Sequence, residues 1–364
     1  MKRYLTMMIA AITVITASGC TGGTDSENLS NSDLTTESSS DSASAVETVD
    51  STAEASDGAA SDFDGGFSVQ GTKLIDANGN EFVMRGINHP HCWFLSTDDT
   101  ALEAIAETGS NTVRIVCGAG IQYQKETVES LTKVIDKCIA LDMICVLEVH
   151  DITGKDDIKQ LEQVTDFWIE VKDALIGNEE YVILNIANEW VGKWNSEIWR
   201  DGYIAAVPKL REAGIKNTIM VDAGGWGQYG KSIADYGTEV LASDPDKNTM
   251  FAVHMYGSAG KNEQTIESNI KGATDKELCI IVGEFGYTHS DGDVNEAYIM
   301  EYCTENDIGY LGWSWKGNGG GVEYLDIAVE WDGSVLSEDW GEILINGDNG
   351  IRATAKICSV FEEG

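Results

Sequence analysis

Ile183-Leu-Asn-Ile-Ala-Asn-Glu-Trp190 and Cys279-Ile-Ile-Val-Gly-Glu-Phe285 decide the fold. Each is a short apolar run that ends near a glutamate, Glu189 in the first and Glu284 in the second. Such runs read as strands buried on both faces, the kind a parallel sheet carries when helices cover it. As strands of one β/α barrel, they bring both glutamates to the mouth formed by the strands' C-terminal ends.

Working outward, apolar runs of strand length centre on 82–88, 111–116, 143–149, 181–186, 218–221, 250–254, 278–283 and 310–314. Helical patterns lie between them at 101–106, 128–140, 160–175, 198–211, 232–242, 263–271 and 295–305. Alternating strands and helices predict parallel pairing with right-handed crossovers, and eight strands can close on themselves. A short N-terminal hairpin, Phe67-Ser-Val-Gln-Gly followed by Thr72-Lys-Leu-Ile-Asp, is placed at the lower end of the barrel. The expected fold is α/β, a (β/α)8 TIM barrel. An open doubly wound sheet produces many of the same local patterns. The barrel is favoured because polar residues recur at one strand end after another: Asn88 to His91, Arg114, Glu148 to Asp151, Asn188 to Trp190, Asp222, His254 to Tyr256, Glu284 and Trp313 to Trp315.

The N-terminus reads differently. Met1-Lys-Arg precedes an apolar stretch from Tyr4 to Ala17 and then Ser-Gly-Cys20. Residues 1–19 therefore read as a lipoprotein-type signal peptide, too short for a comfortable membrane span, with Cys20 as the lipidated residue. Ordinary cleavage and secretion is the alternative. From Thr21 to Asp64 there is no Lys or Arg and one aromatic, Phe63. Such a segment cannot bury enough apolar surface to offset ordering, so residues 20–66 are expected to form a flexible acidic linker, with the catalytic barrel over 67–364. The expected location is an exported cell-envelope lipoprotein on the surface, attached to membrane through its lipid only.

The formal net charge of -37 argues against nucleic acid and anionic membrane partners and leaves a neutral polysaccharide compatible. The barrel is expected to act as a monomer. Beyond Cys20 there are seven cysteines, an odd number, and Cys145 and Cys279 lie inside apolar runs as buried free thiols would. A Gly-rich dinucleotide fingerprint, a phosphate-binding Gly-Lys-Ser/Thr loop, a Gly-x-Ser-x-Gly elbow and a His-Glu-x-x-His pair are all missing. No cofactor or catalytic metal is expected.

The strand-end set suits cleavage of a glycosidic bond. That reaction needs a proton on the leaving oxygen and negative charge beside a developing oxocarbenium ion, which two carboxyl groups about 5 Å apart can supply. Arg114 and Tyr256 are placed to hold Glu284 ionised as nucleophile, with a lowered pKa, while Glu189 keeps a higher one as acid and then base. Asn188 suits a sugar 2-hydroxyl. His150 and His254 suit sugar hydroxyls or orientation of the glutamates. Trp93, Trp190, Trp226, Trp313 and Trp315 offer flat surfaces for pyranose rings, with core packing as the competing role for some. Trp313 and Trp315 share strand parity, so either can be the platform.

These residues resemble glycoside hydrolase family 5, and within it the bacterial β-mannanases. The likeness is carried by Phe82-Val-Met-Arg-Gly-Ile-Asn88, Asn111-Thr-Val-Arg-Ile115, Leu147-Glu-Val-His-Asp151, Asn185-Ile-Ala-Asn-Glu-Trp190, Trp226-Gly-Gln228, His254-Met-Tyr256, Ile281-Val-Gly-Glu-Phe-Gly286 and Trp313-Ser-Trp-Lys-Gly-Asn318. It implies a retaining mechanism, Glu189 as acid/base, Glu284 as nucleophile, the surrounding set Arg114, His150, Asn188, His254 and Tyr256, and a tryptophan beneath the sugar. Pro90 departs from it, a stiff residue where that family carries a small flexible one. Mannan and glucan differ at C2, which composition does not read. The resemblance selects endo-hydrolysis of β-1,4-mannan, glucomannan or galactomannan. A β-1,4-glucanase is the alternative, and a non-catalytic polysaccharide-binding barrel is disfavoured by the presence of both glutamates.

Overall fold

The computed structural model of the protein describes residues 65–362. The signal segment, Cys20 and the linker up to residue 64 lie outside the described residues.

Strands β1 (Ser68–Gln70) and β2 (Lys73–Ile75) form the expected hairpin, with Val69 opposite Leu74. The chain then runs β3 (Arg85–His89), α1 (Asp98–Glu107), β4 (Thr112–Cys117), α2 (Val128–Ile139), β5 (Ile144–Val149), α3 (Ile158–Glu170), β6 (Val182–Asn185) and α4 (Ser196–Glu212). It continues through β7 (Ile219–Asp222), α5 (Lys231–Ser243), β8 (Thr249–Met255), α6 (Glu263–Thr274), β9 (Ile280–Phe285), the small hairpin β10 (Thr288–His289) and β11 (Gly292–Asp293), α7 (Glu296–Glu305), β12 (Gly309–Gly312), α8 (Gly341–Asn346) and α9 (Ile351–Thr354). Strands β3 to β9 and β12 pair in parallel, and β12 closes the barrel by pairing with both β9 and β3.

Period-2 alternation sorts the strand residues. Outward-facing Cys145, Leu147, Val182, Leu184, Phe251 and Val253 join the layer packed against the helices. Inward-facing Ile144, Val146, Ile183, Met220, Met250, Ala252, Ile281 and Leu311 fill the lower barrel. The helices answer with apolar stripes, as in α4, where Trp199, Tyr203, Val207 and Leu210 are buried at helical spacing. Asn195 and Asn262 cap α4 and α6 by accepting the backbone N–H of Ile198 (2.9 Å) and Thr265 (3.0 Å), which satisfies donors the helix cannot.

The hairpin seals the bottom. Phe67 is buried against Phe82, and its carbonyl accepts from Thr218 Oγ1 (3.0 Å) and Asn248 Nδ2 (2.8 Å) at the lower ends of β7 and β8. Asn248 Oδ1 in turn accepts the Val69 N–H (3.1 Å), so a polar side chain stitches the plug to the barrel. The seven cysteines among the described residues are free thiols, six of them buried.

One irregularity positions a functional residue. Val253 of β8 faces Val282 of β9, but the next residue, His254, faces Glu284, with Gly283 skipped. The bulge breaks alternation, so Glu284 turns inward where strict period 2 would send it out. Glycine leaves room there: a Cβ on Gly283 would press on Ala252 Cβ at 3.0 Å and on His254 Nε2 at 3.1 Å.

Candidate active site

Above the apolar layer, the inward positions of β3 to β9 turn polar, with Arg114 of β4 at the centre. Its guanidinium is fully buried, a placement that costs several kcal/mol unless every N–H is engaged. Nε and Nη2 both donate to Asn185 Oδ1 (3.0 and 2.7 Å). Nη1 donates to Asn88 Oδ1 (3.0 Å) and Glu284 Oε1 (2.8 Å), and Nη2 to Asn188 Oδ1 (2.8 Å) and Asp222 Oδ2 (3.2 Å). Burial works against the charge on Arg114, but Glu148, Asp222 and Glu284 around it more than compensate and raise its pKa.

Glu284 is held from two sides, by Arg114 and by the Tyr256 hydroxyl donating to Oε2 (2.9 Å). Glu189 lies beyond the end of β6, in a left-handed backbone (φ 44°) with its N–H on Asp222 Oδ2 (3.1 Å). Its carboxyl meets His254 Nδ1 at 2.7 Å. One carboxylate oxygen of each glutamate and a ring nitrogen of His254 lie within 4.8 Å of one another. An approach this close suits retaining chemistry, whose carboxyl groups stand about 5–5.5 Å apart, whereas inverting sites leave roughly 6.5–9.5 Å for a water. Two carboxylates and a histidine are also metal-ligand types, but Arg114 already supplies the cation beside Glu284.

One guanidinium cannot neutralise four buried carboxyl groups. Burial therefore pushes Glu189 well above the usual carboxylate range, reinforced by the charges of Glu284 and Asp222. Burial likewise pushes Glu284 up to about 7 although Arg114 opposes it, and Asp222 up to about 6. The expectation that Arg114 and Tyr256 lower the pKa of Glu284 is thus corrected: desolvation outweighs them. Burial holds His254 well below its ordinary value, hence neutral at neutral pH, with the Arg114 and His150 charges acting the same way.

Of the other anticipated residues, His150 bonds Glu148 Oε1 through Nδ1 (2.9 Å) and stacks on Trp313 with ring centres 5.6 Å apart. His254 is buried and serves Glu189, so of its two expected roles the structure shows orientation of a glutamate. The Asn188 amide is engaged at both ends, by Arg114 and by Thr153 Oγ1 (3.0 Å). Trp93 meets Tyr123, His150 and Trp313 edge-on, making an aromatic wall with Trp313 beside the glutamates. Trp226 is half exposed on the rim, its ring lying over Gly154.

Two tryptophans do not reach the cleft. Trp190 is completely buried against Tyr203, its Nε1 donating to the Asp157 carbonyl (3.1 Å), because beyond β6 the chain turns it toward α4. Trp315 is likewise buried, with Nε1 on the Trp331 carbonyl (3.0 Å). Strand β12 ends at Gly312, so parity does not extend to Trp313 and Trp315, and of the two only Trp313 joins the cleft cluster with Tyr256. Sequence reasoning gave no role to Asp222, Glu148, Asn185 or Tyr123, nor to Trp194, which is exposed on the rim beside Tyr229. Inward parity with Ile183 was the available signal for Asn185, as parity with Met220 was for Asp222.

A closed (β/α)8 barrel with two buried carboxyl groups brought together at its C-terminal mouth defines the class, a glycoside hydrolase. The model of the cellulase family, glycosyl hydrolase family 5, matches residues 75–319, and the chain belongs to that family. It is 50% identical over 298 residues to a mannan endo-1,4-beta-mannosidase of Salipaludibacillus agaradhaerens, covering 82% of this chain and 96% of that protein. A mannan endo-1,4-beta-mannosidase of Streptomyces lividans is 41% identical, covering 82% of this chain and 79% of the relative. Among solved structures, the mannohexaose complex of Thermomonospora fusca beta-mannanase superposes with a TM-score of 0.77 at 40% identity, covering 82% of this chain and all of that one.

Proposed function

We propose that this protein is a retaining endo-β-1,4-mannanase acting on internal linkages of mannan, glucomannan or galactomannan. The observation that carries it is the pairing of Glu189 and Glu284 in one buried cluster, in a chain half identical to a mannan endo-1,4-beta-mannosidase along nearly that protein's whole length. Glu284, aligned by Arg114 and Tyr256, attacks the anomeric carbon while Glu189 protonates the departing oxygen; Glu189 then takes a proton from the water that releases the glycosyl-enzyme. The first step needs Glu284 ionised and Glu189 protonated. The acid limb of kcat/KM is therefore expected near pH 7, where Glu284 loses its proton, and the alkaline limb above it, where Glu189 does.

Substrate choice is tested by initial kcat/KM on linear β-1,4-mannan beside soluble β-1,4-glucan, with product lengths followed in time. A tenfold or greater preference for mannan, about 1.4 kcal/mol of transition-state discrimination, is expected. Equal or better glucan turnover would transfer the assignment to a glucanase, a reading favoured by a 38% identical relative named beta-mannanase/endoglucanase A, of which the chain spans 20%. Release of monosaccharide alone would exclude endo-cleavage.

The place of action follows from the N-terminus. Cys20 carries lipid, the acidic segment behind it is a tether, and the enzyme works at the outer surface, where a polymer can reach it. The support is the apolar stretch ending in Ser18-Gly-Cys20. Cys20→Ser is expected to release the protein from membranes or block its processing; wild-type fractionation of the variant would remove the anchor.

A further inference from the structure

Asp222, at the end of β7, is linked to both catalytic glutamates, to Glu189 directly at its backbone N–H and to Glu284 through Arg114. Its side chain is completely buried. Oδ1 accepts from Asn185 Nδ2 (3.0 Å), while Oδ2 accepts from Arg114 Nη2 (3.2 Å) and from the backbone N–H of Glu189 (3.1 Å). That last bond pins a residue whose φ of 44° is costly for a non-glycine side chain. Oδ2 also lies 3.5 Å from His254 Nε2, a buried nitrogen without a hydrogen-bond partner, and the other nitrogen of that ring is 2.7 Å from Glu189 Oε1.

We propose that Asp222 is a positioning residue for the acid step, fixing the backbone of Glu189 directly and selecting, through His254, the protonated form of its carboxyl. The inference rests on the acid/base assignment of Glu189 above. An ionised Asp222 favours the His254 tautomer with hydrogen on Nε2. Nδ1 is then a bare acceptor, which a Glu189 carboxylate would repel and a Glu189 O–H satisfies. An uncharged amide at position 222, with its oxygen in the place of Oδ2, keeps the acceptor for Arg114 and the Glu189 N–H but holds hydrogen on Nε2 less strongly, so the tautomer with Nδ1–H, which favours ionised Glu189, gains. Removing the negative charge acts in the same direction. The groups facing this chain are Arg114 from β4, Glu148 and His150 from the end of β5, Tyr203 from α4, Tyr256 beyond β8 and Glu284 from β9. Among the described residues, only the Asp222 side chain both accepts the Glu189 backbone N–H and faces the free nitrogen of His254.

The test uses Asp222→Asn in the full chain, an isostere that keeps an acceptor for Arg114, with phenyl and 2,4-dinitrophenyl β-mannobiosides as substrates. With the phenyl leaving group, which needs a proton, kcat/KM is expected to fall roughly 100-fold. The dinitrophenyl burst, which needs none, should change less than threefold, and the alkaline limb should move to lower pH by about one unit. Equal loss on both substrates with the alkaline limb in place would overturn the proposal. Should Asp222→Asn misfold by near-ultraviolet circular dichroism, His254→Gln breaks the same chain from its middle and must show the same leaving-group dependence. Glu189→Ala separates the two readings: if it too loses both substrates equally, the acid/base assignment fails; if it alone discriminates, only the role of Asp222 does.

Discussion

On β5 the inward residues are Ile144, Val146 and then Glu148; on β6, Ile183 and then Asn185; on β7, Met220 and then Asp222; on β8, Met250, Ala252 and then His254. The lower barrel and the upper barrel are thus built on the same strands, one pleat apart, and both are largely withdrawn from water, the catalytic glutamates keeping only a small exposed edge. In the lower half, removing water gains free energy with each apolar group buried. In the upper half the same dehydration costs free energy, offset by the Arg114 network, and that cost is what raises the proton affinities of Glu189 and Glu284. Stability and reactivity come from a single act of burial applied to different side chains.

The comparison breaks most sharply at Glu284. Glu284→Ala is expected to lower kcat roughly 10^4-fold or more on mannan while the protein stays folded, and azide should not restore a product of retained configuration. One layer down on a facing strand, Ile183→Ala should do the opposite. A loss of about 2–5 kcal/mol in unfolding free energy is expected by urea titration, with kcat/KM per folded molecule unchanged. If Ile183→Ala altered the pH profile, the two halves would not be separable.

His91 offers a smaller contrast within the upper half. In the loop after β3 it lies between Asp98 (Nδ1 to Oδ2, 2.9 Å) and Glu126 (Nε2 to Oε1, 3.6 Å). Burial opposes its protonation, but these two carboxylates prevail and raise it to about 9. Its unfolded value is about 6.5, so the pairing stabilises fully below pH 6.5 and the gain is lost as pH rises through 9. His91→Gln is expected to cost roughly 3 kcal/mol at pH 6 and progressively less toward pH 10, read from urea midpoints at each pH. A cost independent of pH would make His91 a packing residue. The smallest effect belongs to the rim: Trp226→Ala should lose about 1 kcal/mol, a five- to tenfold fall in kcat/KM on long mannan, and nothing on an aryl mannobioside.

Much of this was legible in the chain. All eight barrel strands lie where the apolar runs place them, since period 2 and period 3.6 are written locally. Glu189, Glu284, Arg114, Tyr256, His150 and Asn188 converge because every strand of such a barrel ends at the same mouth. Trp190 and Trp315 take the core-packing alternative, because past the last paired residue the turn of the chain, and not strand parity, decides direction. The pKa of Glu284 was misjudged because a sequence shows a partner such as Arg114 but not how completely water is excluded.

The architecture and the two glutamates are legible in the chain alone, because hydrophobic periodicity and strand-end chemistry are properties of neighbouring residues. Only the tertiary structure decided that a bulge at Gly283 turns Glu284 inward, that Trp313 rather than Trp315 walls the cleft, and that His254 serves Glu189 with Asp222 behind it. Those outcomes depend on barrel closure, which fixes at ångström scale how far apart strand ends from distant parts of the chain come to rest, and on desolvation, which exists only once the barrel has closed.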